Sequence, residues 1–168
     1  MTISMYQASV PYFLRLLGNL REILQKGVAH AEAKKFDAAV LVHARLAPDM
    51  LPLVRQIQIA SDNAKGPAAR LAGIDPPKFE DTETTMPQLL ERIDKTVAFL
   101  KTLKPEQIDG SEGRDIVLPL RSGTLNFKGM NYLMFFALPN FTFHVVTAYN
   151  ILRHNGVEIG KFDFLGRN

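Results

Sequence analysis

Two of the four histidines lie among apolar residues, where an imidazole could do chemistry. His144 belongs to the apolar stretch from Pro139 to Gly156, and its spacing predicts a ring that faces the interior of a long helix. His43 follows three apolar residues, 40–42, on an inward-facing stripe of a predicted second helix. Imidazoles that hold a divalent metal leave an open position for water, whose pKa the metal lowers. His43 and His144 are therefore candidate metal ligands. The alternative, that each is a hydrogen-bonded core histidine, stays open.

Four further residues are candidates for binding a small molecule. Arg45 and Asp49 lie four residues apart across Pro48. They either pair with each other or line a pocket in which the guanidinium holds a carboxylate or phosphate. Asn140 and Tyr149 flank His144 and can orient a bound molecule, although a buried Tyr with one hydrogen-bond partner is the commoner case. The predicted helical segment after Pro48 also carries several polar residues, which form either a solvated face or the rim of a ligand site. They are Gln56, Gln58, Asp62, Asn63 and Lys65.

Composition excludes several classes of protein. The 168 residues suit one domain, 1–168, and include no cysteine, which removes disulfides and thiolate chemistry. With a net charge of +3 and no basic block, we expect no nucleic-acid partner. Polar residues interrupt the longest apolar stretch, so we expect no membrane span, and the absence of a signal sequence predicts a cytoplasmic protein. The phosphate loop, the dinucleotide-binding glycine motif and the His-Glu-x-x-His zinc motif are all missing.

Helical periodicity predicts an all-α architecture that must position these residues. Alternating apolar residues around Ser122 and Gly123 predict a short β-hairpin before the last helix. Such long amphipathic segments favour a four-helix bundle with the hairpin over one end. The predicted helices are Ser4 to Lys26, a second from Ala38 that breaks at Pro48 and continues to Leu71, a third from Met86 that Pro105 stops, and a fourth from Gly129 to His154 that Pro139 bends.

Three stretches carry a resemblance to a known family. The segments 45–50, 139–144 and 149–156 resemble DUF1993, and the likeness extends from Ser9 to Gly166. Through its last helix this family is similar to the DinB/YfiT-like group of four-helix bundles. Members of that group typically bind a divalent metal through three histidines, one on the second helix and two spaced by four on the last. The resemblance places His43 and His144 at two of these positions, whereas Asn140 departs from the pattern at the third.

The resemblance implies a metal of the nickel, zinc or manganese kind where the site is complete. Because an amide oxygen is a weaker ligand for such ions than an imidazole, Asn140 predicts a degenerate site. We therefore expect a DinB-like binding or stress-related accessory protein with a small-molecule ligand, and a homodimer through an exposed helix face. The alternative is an enzyme, a metal-dependent hydrolase or thiol transferase, with His43 and His144 as ligands and Arg45 or Tyr149 on the substrate.

Overall fold

The computed structural model describes residues 2–120 and 123–166. Its elements are mostly helical, with one two-stranded antiparallel sheet before the last long helix. They are α1 (Met5–Lys34), α2 (Ala39–His43), α3 (Leu53–Ala72), α4 (Met86–Thr102), α5 (Pro105–Ile108), β1 (Asp115–Leu120), β2 (Gly123–Lys128), α6 (Gly129–Tyr132), a π-helical turn (Leu133–Ala137), α7 (Leu138–His154) and α8 (Lys161–Leu165).

The helices begin and end where local chemistry satisfies their free backbone groups. The side chains of Ser4 and Thr85 each accept the backbone N–H of the glutamine three residues later, and Oε1 of that glutamine accepts the backbone N–H of the cap residue, as their spacing predicts. Gly73 ends α3 in the left-handed conformation at φ 72°, which a residue without a Cβ adopts freely. Gly156, with φ 86°, follows α7 in the same way.

The four long helices form the bundle that the periodicity predicts. Helix α3 packs against α4 and α7, and α1 packs against the same two helices, so the four helices close a ring. Apolar side chains from all four helices fill the centre, including Phe13, Ile57, Ile93 and Phe141. The ring of helices brings the interior-facing residues of α3 and α7 opposite each other. None of the helices in the described part of the chain has the length and apolar character needed to cross a bilayer.

Two predicted helix boundaries are wrong. Helix α1 continues past Lys26 to Lys34, because the segment between the first two predicted helices is rich in Ala and Lys, which are good helix formers. The second helix is only five residues long, and α3 begins at Leu53 rather than Pro48. Pro48 and Pro52 disfavour helical geometry in the residues before them, so the chain between α2 and α3 bends through a turn in which the N–H of Met50 donates to the carbonyl of Ala47 at 3.0 Å.

The last predicted helix is continuous, but its middle is a wide π turn. Residues Leu133–Ala137 adopt this π-helical form, and Pro139 follows one residue after Leu138. Pro139 has no N–H to donate to the carbonyl of Phe135 four residues earlier, so the chain widens just before it. The predicted distortion at Pro139 is thus a wide turn that keeps the helix intact.

The hairpin has the predicted place in the chain. Leu118 pairs with Leu125 and Leu120 with Gly123; of the two predicted turn residues, Gly123 begins β2 and Ser122 lies outside the described residues. Ile116 and Leu118 are buried and the intervening Val117 is exposed, so one face of β1 joins the core. Pro119 lies in a strand that is an edge strand, where its missing N–H does no harm.

Candidate functional site

His144 is held by an amide on the facing helix. Its Nδ1 lies 2.7 Å from Oε1 of Gln56, whose Nε2 donates to the carbonyl of Leu51 at 3.1 Å. The second bond fixes the orientation of the Gln56 amide, so Oε1 is an acceptor and Nδ1 of the ring carries the proton. Burial lowers the pKa of His144 below its ordinary 6.5. The ring is therefore neutral at pH 7, and within residues 2–120 and 123–166 the lone pair of Nε2 has no hydrogen-bond partner.

A second contact lies along the same pair of helices. Asn140, one turn before His144, donates through Nδ2 to Oδ1 of Asn63 at 3.3 Å. Since Asn63 follows Gln56 by seven residues while Asn140 precedes His144 by four, α3 and α7 run antiparallel. We call these four side chains the amide–imidazole ladder. It pairs neutral polar groups across the helix interface and contains no carboxylate.

The structure does not place His43 where the sequence predicts. His43 is exposed at the last residue of α2, so the prediction that it faces inward is wrong. Helix α2, which follows Phe36, is too short to contribute an inward-facing stripe to the bundle. The residue that faces His144 is instead Gln56 on α3.

The side chains present do not fit a three-ligand metal centre. Among residues 2–120 and 123–166, no group of three His, Cys, Asp or Glu side chains could surround one ion. His144 contributes one imidazole, and Asn140 offers an amide that already bonds to Asn63. Metal binding by His43 and His144 stays a prediction.

The remaining predicted ligand residues lie apart from the ladder. Arg45 donates to the carbonyls of Pro48 and Met50 at 3.4 and 3.3 Å, and it forms no ion pair with Asp49 within the described chain. Tyr149 packs edge-to-face against Phe164 with ring centroids 6.3 Å apart. Arg45 thus stabilises a turn, and Tyr149 has a packing role. Ligand binding by these residues stays a prediction.

A buried arginine on α4 was missed by the sequence analysis. Arg92 is 2% exposed and pairs with Asp62, Asp81 and Glu83 at 3.1, 3.0 and 2.9 Å. We call these four residues the Arg92 cluster. Phe79 lies against it, with Arg92 Cζ 5.8 Å and Lys65 Nζ 4.9 Å from its ring centroid.

The same cluster overturns the prediction of a solvated face on α3. Gln58 is buried and donates to Glu83 at 2.8 Å, and Lys65 is buried and pairs with Asp62 at 3.0 Å. Burial alone would raise the pKa of Glu83, but the hydrogen bonds from Arg92 and Gln58 outweigh it and hold that pKa below 4.5. The cluster ties the loop before α4 to both helices, and its mutually paired charges are typical of a structural network.

Comparison with known proteins agrees with this architecture. Residues 5–165 match the model of DUF1993, a domain of unknown function. The crystal structure of a DinB family member protein from Shewanella denitrificans is 41% identical, with a TM-score of 0.91 over 97% of this chain and 92% of that chain. No curated protein matches this chain.

Proposed function

Given that the chain belongs to the DUF1993 family, we propose that it is a DinB-like binding protein in which the metal site of the wider group is incomplete. The observation that carries this proposal is the bond between Asn140 and Asn63. Asn140 lies where the resemblance implies a ligand histidine, and its amide is hydrogen-bonded to a side chain of the neighbouring helix α3. With Gln56 opposite His144, the interface between α3 and α7 contains one imidazole, whereas a complete site of the wider group contains three histidines.

The ladder supports a ligand that donates a hydrogen bond. The proton on Nδ1 of His144 is committed to Gln56, so Nε2 is an acceptor for an N–H or O–H group. The exposed ring of Phe143 lies edge-on to the imidazole at 5.2 Å between centroids and offers an apolar face beside it. A small molecule with a polar donor next to an apolar or aromatic body fits these two groups.

A second candidate function, a metal-dependent hydrolase or thiol transferase, is favoured by one detail of His144. Ligating histidines usually donate their other ring N–H to a fixed acceptor, which orients the ring and sets the tautomer. Gln56 does this for His144. In this alternative His144 and His43 are metal ligands.

Elemental analysis after dialysis against nickel, zinc and manganese separates the two candidates. We expect far less than one equivalent of metal in the wild type and in His144→Ala, because a single neutral imidazole holds such ions weakly. The control is His154→Ala, which removes an exposed histidine at the end of α7. One equivalent in the wild type that is lost in His144→Ala and kept in His154→Ala would favour the enzyme.

We also infer a homodimer through the exposed side of the last helix. Phe135 and Phe143 are 78% and 58% exposed on this helix, and we take these two large rings as the contact surface between the copies. Light scattering should give a dimer mass for the wild type and a monomer mass for the Phe135→Ser/Phe143→Ser variant. Phe162→Ser, which changes an exposed ring on α8, should stay dimeric. A monomeric wild type at micromolar concentration would contradict this inference.

A further inference from the structure

A cleft beside the hairpin is lined by two arginines. It has a volume of about 550 Å³ and lies where the end of α3 meets β1. Arg70 and Arg114 contribute guanidinium groups to it, and none of its lining residues belongs to the amide–imidazole ladder. The other lining residues are Gly73, Ile74, Asp75, Asp115, Ile116 and Val117.

Arg70 is positioned by a phenol and a glycine. Its Nη1 donates to the hydroxyl of Tyr132 at 3.1 Å. A Cβ at Gly66 would lie 2.7 Å from the same nitrogen, so the guanidinium packs closely over the bare backbone of this glycine. The side chain is therefore held at its tip from two sides.

Arg114 is positioned in a parallel way. Its Nη1 donates to the carbonyl of Leu71 at the end of α3, where a cation also complements the helix dipole. A Cβ at Gly73 would lie 2.7 Å from this nitrogen. Among the described residues, each arginine thus donates one of its five N–H groups to the protein, and that bond positions its guanidinium group.

The two guanidinium groups remain without a carboxylate. Within the described residues neither forms an ion pair, whereas Arg21, Arg55 and Arg92 each pair with an acid. Two acids do line the cleft, and Asp115 is bonded to Lys128 at 2.6 Å. Asp75 is the remaining negative charge, so the unpaired charge in the cleft is positive.

From this arrangement we propose that the cleft binds a small organic anion, with a carboxylate or phosphate on Arg70 and Arg114. Fixed guanidinium groups match the planar oxygens of both anions, and their immobilisation is already achieved in the free protein. Ile74 and Val117, which are both exposed, supply apolar surface beside the guanidinium groups for the body of the ligand. The site goes beyond the binding function proposed for the ladder, since it shares no residue with it.

The test is a titration of the amide spectrum of the whole protein with sodium butyrate and, separately, inorganic phosphate at matched ionic strength. We expect saturable shifts at Gly73, Ile74 and Val117 with at least one of them, and the two arms distinguish a carboxylate from a phosphate. Arg114→Gln should raise Kd about tenfold, the effect of one charge-assisted hydrogen bond. Asp75→Asn should lower Kd about threefold by removing a repelling charge.

Two further variants keep the result decisive. Arg153→Gln, at an exposed arginine on α7, should leave Kd unchanged. Val117→Glu places a carboxylate at an exposed position of the cleft without touching the bonds that hold either arginine, and it should weaken binding even if Arg114→Gln impairs folding. The proposal is overturned if neither anion shifts these amides, or if Val117→Glu binds as tightly as the wild type.

Discussion

Replacing Arg92 by Met should lower the free energy of unfolding by about 3 kcal/mol and the melting temperature by about 6 to 12 °C. The side chain is 2% exposed and is the shared partner of Asp62, Asp81 and Glu83. Removing it leaves three carboxylates close together without their cation. We place the loss at the lower end for a broken buried pair, because Asp62 and Asp81 keep contact with water. Chemical denaturation measures it.

The matched control for this variant is Arg153→Met, which should leave stability almost unchanged because Arg153 is exposed. A loss below about 1 kcal/mol in Arg92→Met would contradict a stabilising role for the cluster.

Lowering the pH should weaken the same cluster and reduce the stability of the fold. Because the pKa of Glu83 is lower in the folded state than its ordinary 4.5, its contribution is fully present above pH 4.5 and is lost as pH falls through the folded value. As the pH falls below 4.5, Glu83→Gln should therefore lose less free energy of unfolding than the wild type. Glu112→Gln, which changes an exposed acid, should lose as much as the wild type.

The variant Gln56→His/Asn140→His should gain a metal site. Positions 140 and 144 share one face of α7, and position 56 meets His144 from α3 at hydrogen-bond distance. Three imidazoles would then converge, as in three-histidine zinc centres. At zinc concentrations 100-fold above Kd, binding should stabilise the variant by about 2.7 kcal/mol, a rise in melting temperature of about 5 to 11 °C.

Thermal unfolding with zinc and with a chelator measures this gain. The wild type should show little zinc dependence, and adding His144→Ala to the double variant should abolish the effect. Equal melting temperatures with zinc and with chelator would show that positions 56, 140 and 144 do not converge on one ion. That result would remove the geometric basis for an incomplete metal site at the ladder.

Much of the fold was predictable because its signals are local. The capping boxes at Ser4 and Thr85, the glycine after α3 and the alternation around residue 118 each depend on a few neighbouring residues. The helix between Lys26 and Lys34 was missed because a polar, Ala-rich segment has good helix propensity without an apolar face. Periodicity alone does not detect such a segment.

The site was harder to predict because its contacts join distant parts of the chain. His144 was recognised from its apolar surroundings, but its partner Gln56 lies 88 residues earlier and looked like part of a wet face. Arg92 lies between the buried Leu89 and Ile93 on the apolar side of α4, after a loop rich in acids. A cation at such a position is a signal for a buried ion cluster, since charged side chains are rarely buried unless paired.

The π turn before Pro139 makes the length of the last helix as important as its composition. Residues 129–132 contact the hairpin, while α7 contacts the bundle, and the wide turn sets the rotation between the two. If residues 133–137 formed an ordinary α-helix without losing a residue, one half would turn against the other by about 100°, the rotation of one residue, whereas losing one residue as the turn narrows would keep the two halves in phase. The orientation of the hairpin relative to the His144 face therefore depends on the one extra residue that this wide turn accommodates.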